Sequence, residues 1–190
     1  PVTIDDKVYR SESSTGHRNR AIAHLLRNFN IVGDPVEAGV DLYFQQCSIL
    51  VTAEDLALMG ATLANRGIHP RTGQRAIALE YVDDMLSLMT TCGMYDYAGQ
   101  WLYDVGLPAK SGVAGGILAL MPGRLGIGVF APRLDSHGNS VRGIRVCKDL
   151  SDCFRLHLFA AGRPARAVIH RQMNLSERQS QRVRPRADML

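Results

Sequence analysis

One segment in the middle of the chain constrains the fold more than any other. From Gly112 to Met121 apolar residues are interrupted by glycine and alanine, and a similar run covers 125–131. Pro122 and Gly123 separate the two runs, which is typical of a β-hairpin. We therefore expect two antiparallel strands whose glycines allow a ligand or another backbone to approach closely.

The residues on both sides of this hairpin follow helical patterns. Thr15 is a candidate N-cap for a helix over 16–30. Asp34-Pro35 indicates an N-cap and a first-turn proline that open a second helix, through about Gln46. Four more helices are expected, from 52 to a stop at Gly67, over 77–91, over 97–105, and from Asn139 or Ser140 to about Phe159. Helices around an antiparallel hairpin predict the α+β class.

Charge is unevenly distributed along the chain. The formal net charge is +4 over 190 residues, but residues 163–190 hold seven arginines against Glu177 and Asp188. The basic isoelectric point is therefore a property of this end of the sequence, and we do not expect nucleic acid as a partner of the rest. We expect a domain over 1–162 and a basic tail or linker over 163–190. Within that tail, 165–169 could be a strand or a helix extension, and 174–190 has a composition typical of disorder.

Other residue types exclude several classes of protein. Cys47, Cys92, Cys147 and Cys153 have no C-x-x-C spacing, and the six histidines form no H-E-x-x-H pattern. We therefore expect no metal and reduced, buried thiols. The sequence contains no run of about 18 apolar residues, and we therefore expect no membrane span. We also expect a cytoplasmic location.

The hairpin is preceded by Lys110-Ser111-Gly112, which is similar to the Lys-Thr/Ser-Gly strand edge of enzymes that form acyl-serine intermediates. Those enzymes take their nucleophile from Ser-x-x-Lys, where the amine lies one helical turn from the hydroxyl. None of the lysines in this sequence, Lys7, Lys110 and Lys148, has a serine three residues before it. We interpret the chain as the C-terminal part of a longer enzyme, or as a remnant without its nucleophile.

Five stretches, in order and at matching spacing, resemble the serine-dependent glutaminases, relatives of the β-lactamases and penicillin-binding proteins. These stretches are 8–12, 18–23, 41–48, 93–96 and 109–116. The resemblance covers about 5–160, roughly the latter half of such an enzyme. It implies a partial serine β-lactamase/transpeptidase-like domain with a helical lobe, a hairpin and a C-terminal helix.

The resemblance also implies a chemistry: hydrolysis of L-glutamine to L-glutamate and ammonia through an acyl-serine intermediate, without cofactor or metal. Glu12 and Asn19 would hold the amino-acid end of glutamine. Tyr43 and Tyr95 would line the pocket beside the nucleophile, with Tyr43 assisting proton transfer. The backbone N–H of Val113 would form half of the oxyanion hole. The family further implies a homo-oligomer, either a dimer or a tetramer.

The absent nucleophile leads to two expectations for the 190-residue chain. It should be inactive alone, and its uncovered apolar sheet surface should make it associate. Two alternatives stay open. One is a penicillin-recognising enzyme, against which Glu12 and Asn19 argue because a β-lactam has no matching free amino-acid end. The other is a non-catalytic amino-acid-binding or interaction module. Taken alone, Tyr43 and Tyr95 could also be half-buried core aromatics.

Overall fold

The computed structural model describes residues 3–160, and the chain divides into two compact units after Thr52. We call residues 3–52 the helical unit and residues 53–160 the sheet unit. Helices α1, α2 and α3 of the helical unit span Asp6–Thr15, His17–Asn28 and Val36–Cys47. The predictions made for 165–169, 174–190 and the basic tail lie outside the described residues.

The helical unit is built around one buried ring. Phe44 on α3 is fully buried and packs with Val36 and Val40, while Tyr9 and Ala23 cover this cluster from α1 and α2. Gly16, between α1 and α2, lies against Phe44: a Cβ added there would be 2.2 Å from the ring. The absence of a side chain at Gly16 therefore lets the two helices turn closely over α3.

The helix starts in this unit differ from those predicted. Thr15 is the last residue of α1, a helix that the sequence analysis did not predict, and Gly16 rather than Thr15 precedes α2. The Thr15 hydroxyl donates back to the Ser11 carbonyl at 2.7 Å. Asp5 is the side-chain cap of α1 and accepts from the Lys7 and Val8 N–H groups. Helix α3 begins after Pro35, one residue later than expected.

The sheet unit contains a three-stranded antiparallel sheet in the order β1-β2-β3. Helices α4, α5, α6 and α7 span Ala53–Ala64, Leu79–Cys92, Ala98–Asp104 and Val141–Phe154, and a 3₁₀ turn covers Tyr95–Tyr97. Strands β1, β2 and β3 span Ala109–Ser111, Gly116–Met121 and Leu125–Phe130. The α+β class is confirmed. The boundary at residue 162 stays a prediction.

Strand β2 separates two apolar layers because its side chains alternate between the faces of the sheet. Ile117 and Ala119 pack in the cluster that contains Trp101 of α6 and Cys147 of α7. Leu118 and Leu120 pack with Leu63 and Ala64 of α4, a cluster that α5 also covers. Helix α4 approaches β3 so closely that a Cβ on Gly126 would lie 2.1 Å from the Ala61 nitrogen. The sheet is thus covered by helices on both faces.

Two predictions for this unit are wrong in their boundaries. The run 112–121 is not one strand, because a turn over 112–115 separates β1 from β2. Gly115 has φ +98° in that turn, a conformation that disfavours side chains, and a Cβ there would meet the Ala131 oxygen at 2.6 Å. Helix α7 ends at Phe154 rather than near Phe159, since Arg155 adopts φ +52° and stops the helix.

Candidate functional site

The sheet unit brings Tyr95, Lys110 and Val113 together near the end of β1. The Tyr95 hydroxyl donates to the Ser111 carbonyl at 3.3 Å, and Lys110 Nζ lies 4.9 Å from the centre of the Tyr95 ring. A Cβ added to Gly138 would lie 3.8 Å from both the Tyr95 ring and Val113 Cγ1. Two of the candidate site residues, Tyr95 and Val113, are therefore neighbours around Gly138.

The backbone around Val113 is held in a tight turn. The Gly112 N–H donates to the Gly116 carbonyl at 3.0 Å, and the Gly115 N–H donates to the Gly112 carbonyl at 2.9 Å. Within residues 3–160, the Val113 N–H donates no hydrogen bond to another protein atom. The side chain of Val113 is 67% exposed, so the residue contributes little to the core. An unpaired N–H in a braced turn is suited to donate to a carbonyl oxygen on which negative charge develops.

The sheet unit also has an apolar cavity of about 580 Å³. The polar residues of its lining are Asp55, Thr62, His69 and Lys110, so it shares Lys110 with the Tyr95 contact. The apolar part of its lining comes from helices α4 and α5, strand β2 and the segment before α5: Leu58, Met59, Leu63, Ile77, Met85, Leu88, Met89 and Leu118. Leu118, the strand residue in this lining, is only 8% exposed, so α4 and α5 cover the sheet here and the expected uncovered apolar surface is not found at this place.

The other candidate site residues lie in the helical unit, one on each helix. Glu12 is on α1, Asn19 is on α2 and Tyr43 is on α3. Glu12 and Asn19 are partly buried, and Tyr43 is 48% exposed next to the buried Phe44. All three helices pack around the Phe44 ring, which fixes the backbone that carries these side chains.

Asp41 strengthens the packing of α3 on α1. The Tyr9 hydroxyl donates to Asp41 Oδ1, and Gln45 Nε2 donates to Asp41 Oδ2 at 2.6 Å. The hydrogen bond to the Asp41 carboxylate raises the pKa of Tyr9 above its ordinary value. Asp41 was not predicted to have this role, although Gln45 one helical turn later is a sequence signal for such a pair.

Polar contacts beside Tyr95 were not predicted from the sequence. His137 Nδ1 lies 2.8 Å from Asp96 Oδ1, and Asn139 Nδ2 donates to the Met94 carbonyl at 3.3 Å. The run from Asp135 to Ser140 is rich in turn-forming residues, but the sequence indicated only Asn139 or Ser140 as a helix start. Nothing in the local pattern indicated contacts with residues more than forty positions earlier.

The histidines, cysteines and carboxylates of the described residues do not form a metal site. Among residues 3–160, no group of three or more His, Cys, Asp or Glu side chains is placed to hold a metal ion. The expectation of buried thiols is correct only for Cys147, whose pKa burial raises to about 12; Cys47, Cys92 and Cys153 are exposed. Every helix in this described range is too short or too polar to cross a membrane.

The arrangement of helices on a Lys-Ser-Gly-edged sheet is that of a partial serine β-lactamase/transpeptidase-like domain. Comparison with known proteins makes the assignment specific. The family model described as Glutaminase matches residues 1–159. The chain belongs to the glutaminase family.

The glutaminase of Trichormus variabilis is 57% identical over 158 residues, which is 83% of this chain and 47% of the relative. Glutaminase 2 of Bradyrhizobium diazoefficiens is 59% identical over 155 residues, or 82% of this chain and 25% of the relative. The chain thus spans about half or less of the length of these relatives.

Solved structures give the same assignment. Mglu in its glutamate form has a TM-score of 0.78 at 53% identity, covering 83% of this chain and 36% of that chain. The Bacillus subtilis glutaminase YbgJ, in covalent complex with 5-oxo-L-norleucine, has a TM-score of 0.79 at 40% identity, covering 83% and 57%.

Proposed function

We propose that this chain supplies the substrate-binding side and one oxyanion-hole donor of a glutaminase. The enzyme hydrolyses L-glutamine to L-glutamate and ammonia. The unpaired N–H of Val113 in its braced turn carries the proposal, because amide hydrolysis needs a fixed donor where the carbonyl oxygen becomes negative. Two relatives support the substrate class: Mglu has a glutamate form, and YbgJ forms a covalent complex with 5-oxo-L-norleucine.

The reaction proceeds in two steps. A serine hydroxyl from a part of the enzyme outside this chain attacks the side-chain amide carbon of glutamine, and its proton reaches the leaving nitrogen with help from Tyr43. The C–N bond breaks, ammonia departs and a glutamyl ester of the serine remains. Water then attacks the ester carbon, the C–O bond to the serine breaks, a proton from the water passes to the serine oxygen, and glutamate is released. The Val113 N–H donates to the carbonyl oxygen in both tetrahedral intermediates.

The side chains of the helical unit have binding roles in this proposal. The Glu12 carboxylate is the partner for the α-ammonium group of glutamine, because a desolvated ammonium needs an anionic acceptor. Asn19 contacts the same amino-acid end, where its amide can donate to the α-carboxylate. Tyr95 lines the pocket beside the nucleophile. The homo-oligomeric state and the cytoplasmic location remain predictions from the sequence.

The test uses a fused protein. The part of the Trichormus variabilis glutaminase that precedes the region similar to this chain is joined to the start of this chain. We expect the fused protein to release ammonia from L-glutamine and the 190-residue chain alone to release none. Ammonia release by the chain alone would contradict the assignment of the nucleophile to another segment. A folded fused protein without activity would contradict the proposed function.

A non-catalytic amino-acid-binding module is the second candidate, because the binding roles proposed for Glu12 and Asn19 do not themselves require a nucleophile. Calorimetry separates the two proposals. Binding of L-glutamine by the natural full-length protein without any turnover would favour the module. Labelling of the fused protein by a penicillin, with no hydrolysis of glutamine, would instead favour a penicillin-recognising enzyme.

A further inference from the structure

The segment after β3 folds back on itself as a small closed loop over 135–139. The Asp135 carboxylate accepts from the His137 N–H and the Asn139 N–H, each at 2.9 Å. The Asp135 N–H donates to the Asn139 carbonyl at 2.8 Å, and Gly138 has φ +86°. These bonds fix the backbone at Asn139, from which its side chain projects.

Asn139 is fully buried, at 0% exposure, and its side chain leaves the loop to reach the Met94 carbonyl at 3.3 Å. Within the described residues its Oδ1 has no hydrogen-bond partner. A buried amide of this kind costs free energy that an apolar residue of similar size would not cost. The contribution of Asn139 is therefore the position of the group that it holds rather than the stability of the core.

The group that it holds precedes a strained residue. Tyr95 has φ +56°, a left-handed backbone conformation that residues other than glycine keep only when their surroundings hold it. Three contacts hold it here. The Ser111 N–H donates to the Gly93 carbonyl at 2.9 Å, Asn139 holds the Met94 carbonyl, and His137 pairs with Asp96.

The same loop also lies against Val113. A Cβ on Gly138 would be 3.8 Å from Val113 Cγ1 and 3.8 Å from the Tyr95 ring, so the loop lies beside both candidate residues. A shift of the loop would therefore change the relative position of a pocket-lining ring and of the residue that carries the unpaired N–H.

We propose that Asn139 is a positioning residue, which holds the Tyr95 turn and, through the loop over 135–139, the Val113 turn in the geometry that hydrolysis needs. This inference rests on the proposed glutaminase function. Asn139 contacts no substrate in this proposal, so its loss lowers kcat by misplacing Tyr95 and Val113 and leaves KM nearly unchanged.

The first experiment needs no activity and uses the 190-residue chain. The Tyr97 N–H donates to the same Met94 carbonyl that Asn139 holds, at 3.2 Å, so its hydrogen exchange reports on the turn. We expect Asn139→Ala and the equally shaped Asn139→Asp to accelerate exchange of the Tyr97 amide by about tenfold. Amides of α4 should exchange at the wild-type rate.

Ser151→Ala is the matched control. Ser151 is also buried in the sheet unit, and its hydroxyl donates to the Val105 carbonyl at 2.6 Å across a similar sequence separation, but away from Tyr95. It should leave the exchange rate of the Tyr97 amide unchanged, whatever its effect on the melting temperature. If Tyr97 exchanges at the same rate in the Asn139 and Ser151 variants, the inference is wrong, whatever the activity of the fused protein.

The second experiment measures steady-state kinetics in the fused protein. Asn139→Ala should reduce kcat by tenfold or more and change KM by less than about threefold, and Ser151→Ala should change neither by more than about twofold. A wild-type kcat in an Asn139 variant that exchanges faster at Tyr97 would overturn the role in catalysis. An inactive wild-type fused protein would count against the proposed function, and exchange at Tyr97 would still decide whether Asn139 holds the turn.

Discussion

The helical unit and the sheet unit hold their candidate residues in different ways. Glu12, Asn19 and Tyr43 are side chains on three helices, and the backbone beneath them is fixed by the packing around Phe44. Val113 contributes a backbone N–H, and its turn is fixed by glycines and by hydrogen bonds to neighbouring strands. A helix face can tolerate small errors because a side chain rotates to its ligand, whereas a backbone donor cannot. We therefore expect the candidate residues of the sheet unit to be more sensitive to small structural changes than those of the helical unit.

Removal of the Val113 N–H should lower kcat more than any other change considered below. Val113→Pro removes the N–H, and kcat of the fused protein should fall about 10²–10³-fold, as for other lost oxyanion-hole donors. The measurement is ammonia release at saturating glutamine. Val113→Ala is the control, because it keeps the N–H and removes a side chain that is 67% exposed. Equal activity of the two variants would show that the N–H has no role.

The next effect tests the helical unit through binding. Glu12→Gln removes the charge proposed to meet the α-ammonium group, and kcat/KM for glutamine should fall about 10–100-fold, mostly through KM. A substrate without the α-amino group, glutaramate, should be hydrolysed equally by the wild-type and variant fused proteins. A loss of the same size with glutaramate would contradict this role.

Glu37→Gln is the matched control for that measurement. Glu37 is an exposed carboxylate on α3, paired with Arg20 at 3.2 Å, and it has no proposed contact with the substrate. Its replacement should leave kcat/KM for glutamine within about twofold. An equal effect of both substitutions would indicate that the general charge of the helical unit, rather than Glu12, attracts the substrate.

A third effect concerns the stability of the helical unit. Gly16→Ala would place a Cβ 2.2 Å from the Phe44 ring and should reduce the free energy of unfolding by about 1–3 kcal/mol. Gly39→Ala, in α3, meets nothing within 4 Å and should raise stability by about 0.5–1 kcal/mol. Thermal unfolding of the chain measures both. Similar melting temperatures for the two variants would show that packing at Phe44 does not hold this unit.

The same contrast explains what the sequence could predict. Helices were predicted where apolar residues repeat at helical spacing, and α4 and α5 lie close to their expected positions. The turn between β1 and β2 was missed, because a run of apolar residues and glycines is compatible with one strand until the steric requirement at Gly115 is known. The predicted start of α2 was wrong, because threonine is a residue type that often caps a helix, but Thr15 is the last residue of α1.

The candidate site shows a sharper limit. Glu12, Asn19, Tyr43, Tyr95 and Val113 came from a family resemblance, and no local pattern would have selected them. Asn139 was considered only as a helix start. Its contact with Met94 joins residues 45 positions apart, and the identity of such a partner depends on the path of the chain through the sheet unit. Local propensity contains no information about that path.

The hydrogen bonds of Asp104 should make only a small contribution to the stability of the sheet unit. Gln100 and Lys148 both donate to Asp104, and these bonds, that of Gln100 first, hold the pKa of Asp104 below its ordinary value. A lowered folded-state pKa adds stability above the unfolded-state pKa, and this stability is lost as the pH falls through the folded-state value. Asp104→Asn should therefore cost no more than about 1 kcal/mol at pH 7 and progressively less below about pH 4. Urea unfolding at both pH values measures it. Glu54→Gln removes a carboxylate from a far more exposed ion pair, so it should not change the free energy of unfolding at either pH. If Asp104→Asn costs the same free energy at both pH values, the Asp104 carboxylate acts through packing rather than through charge.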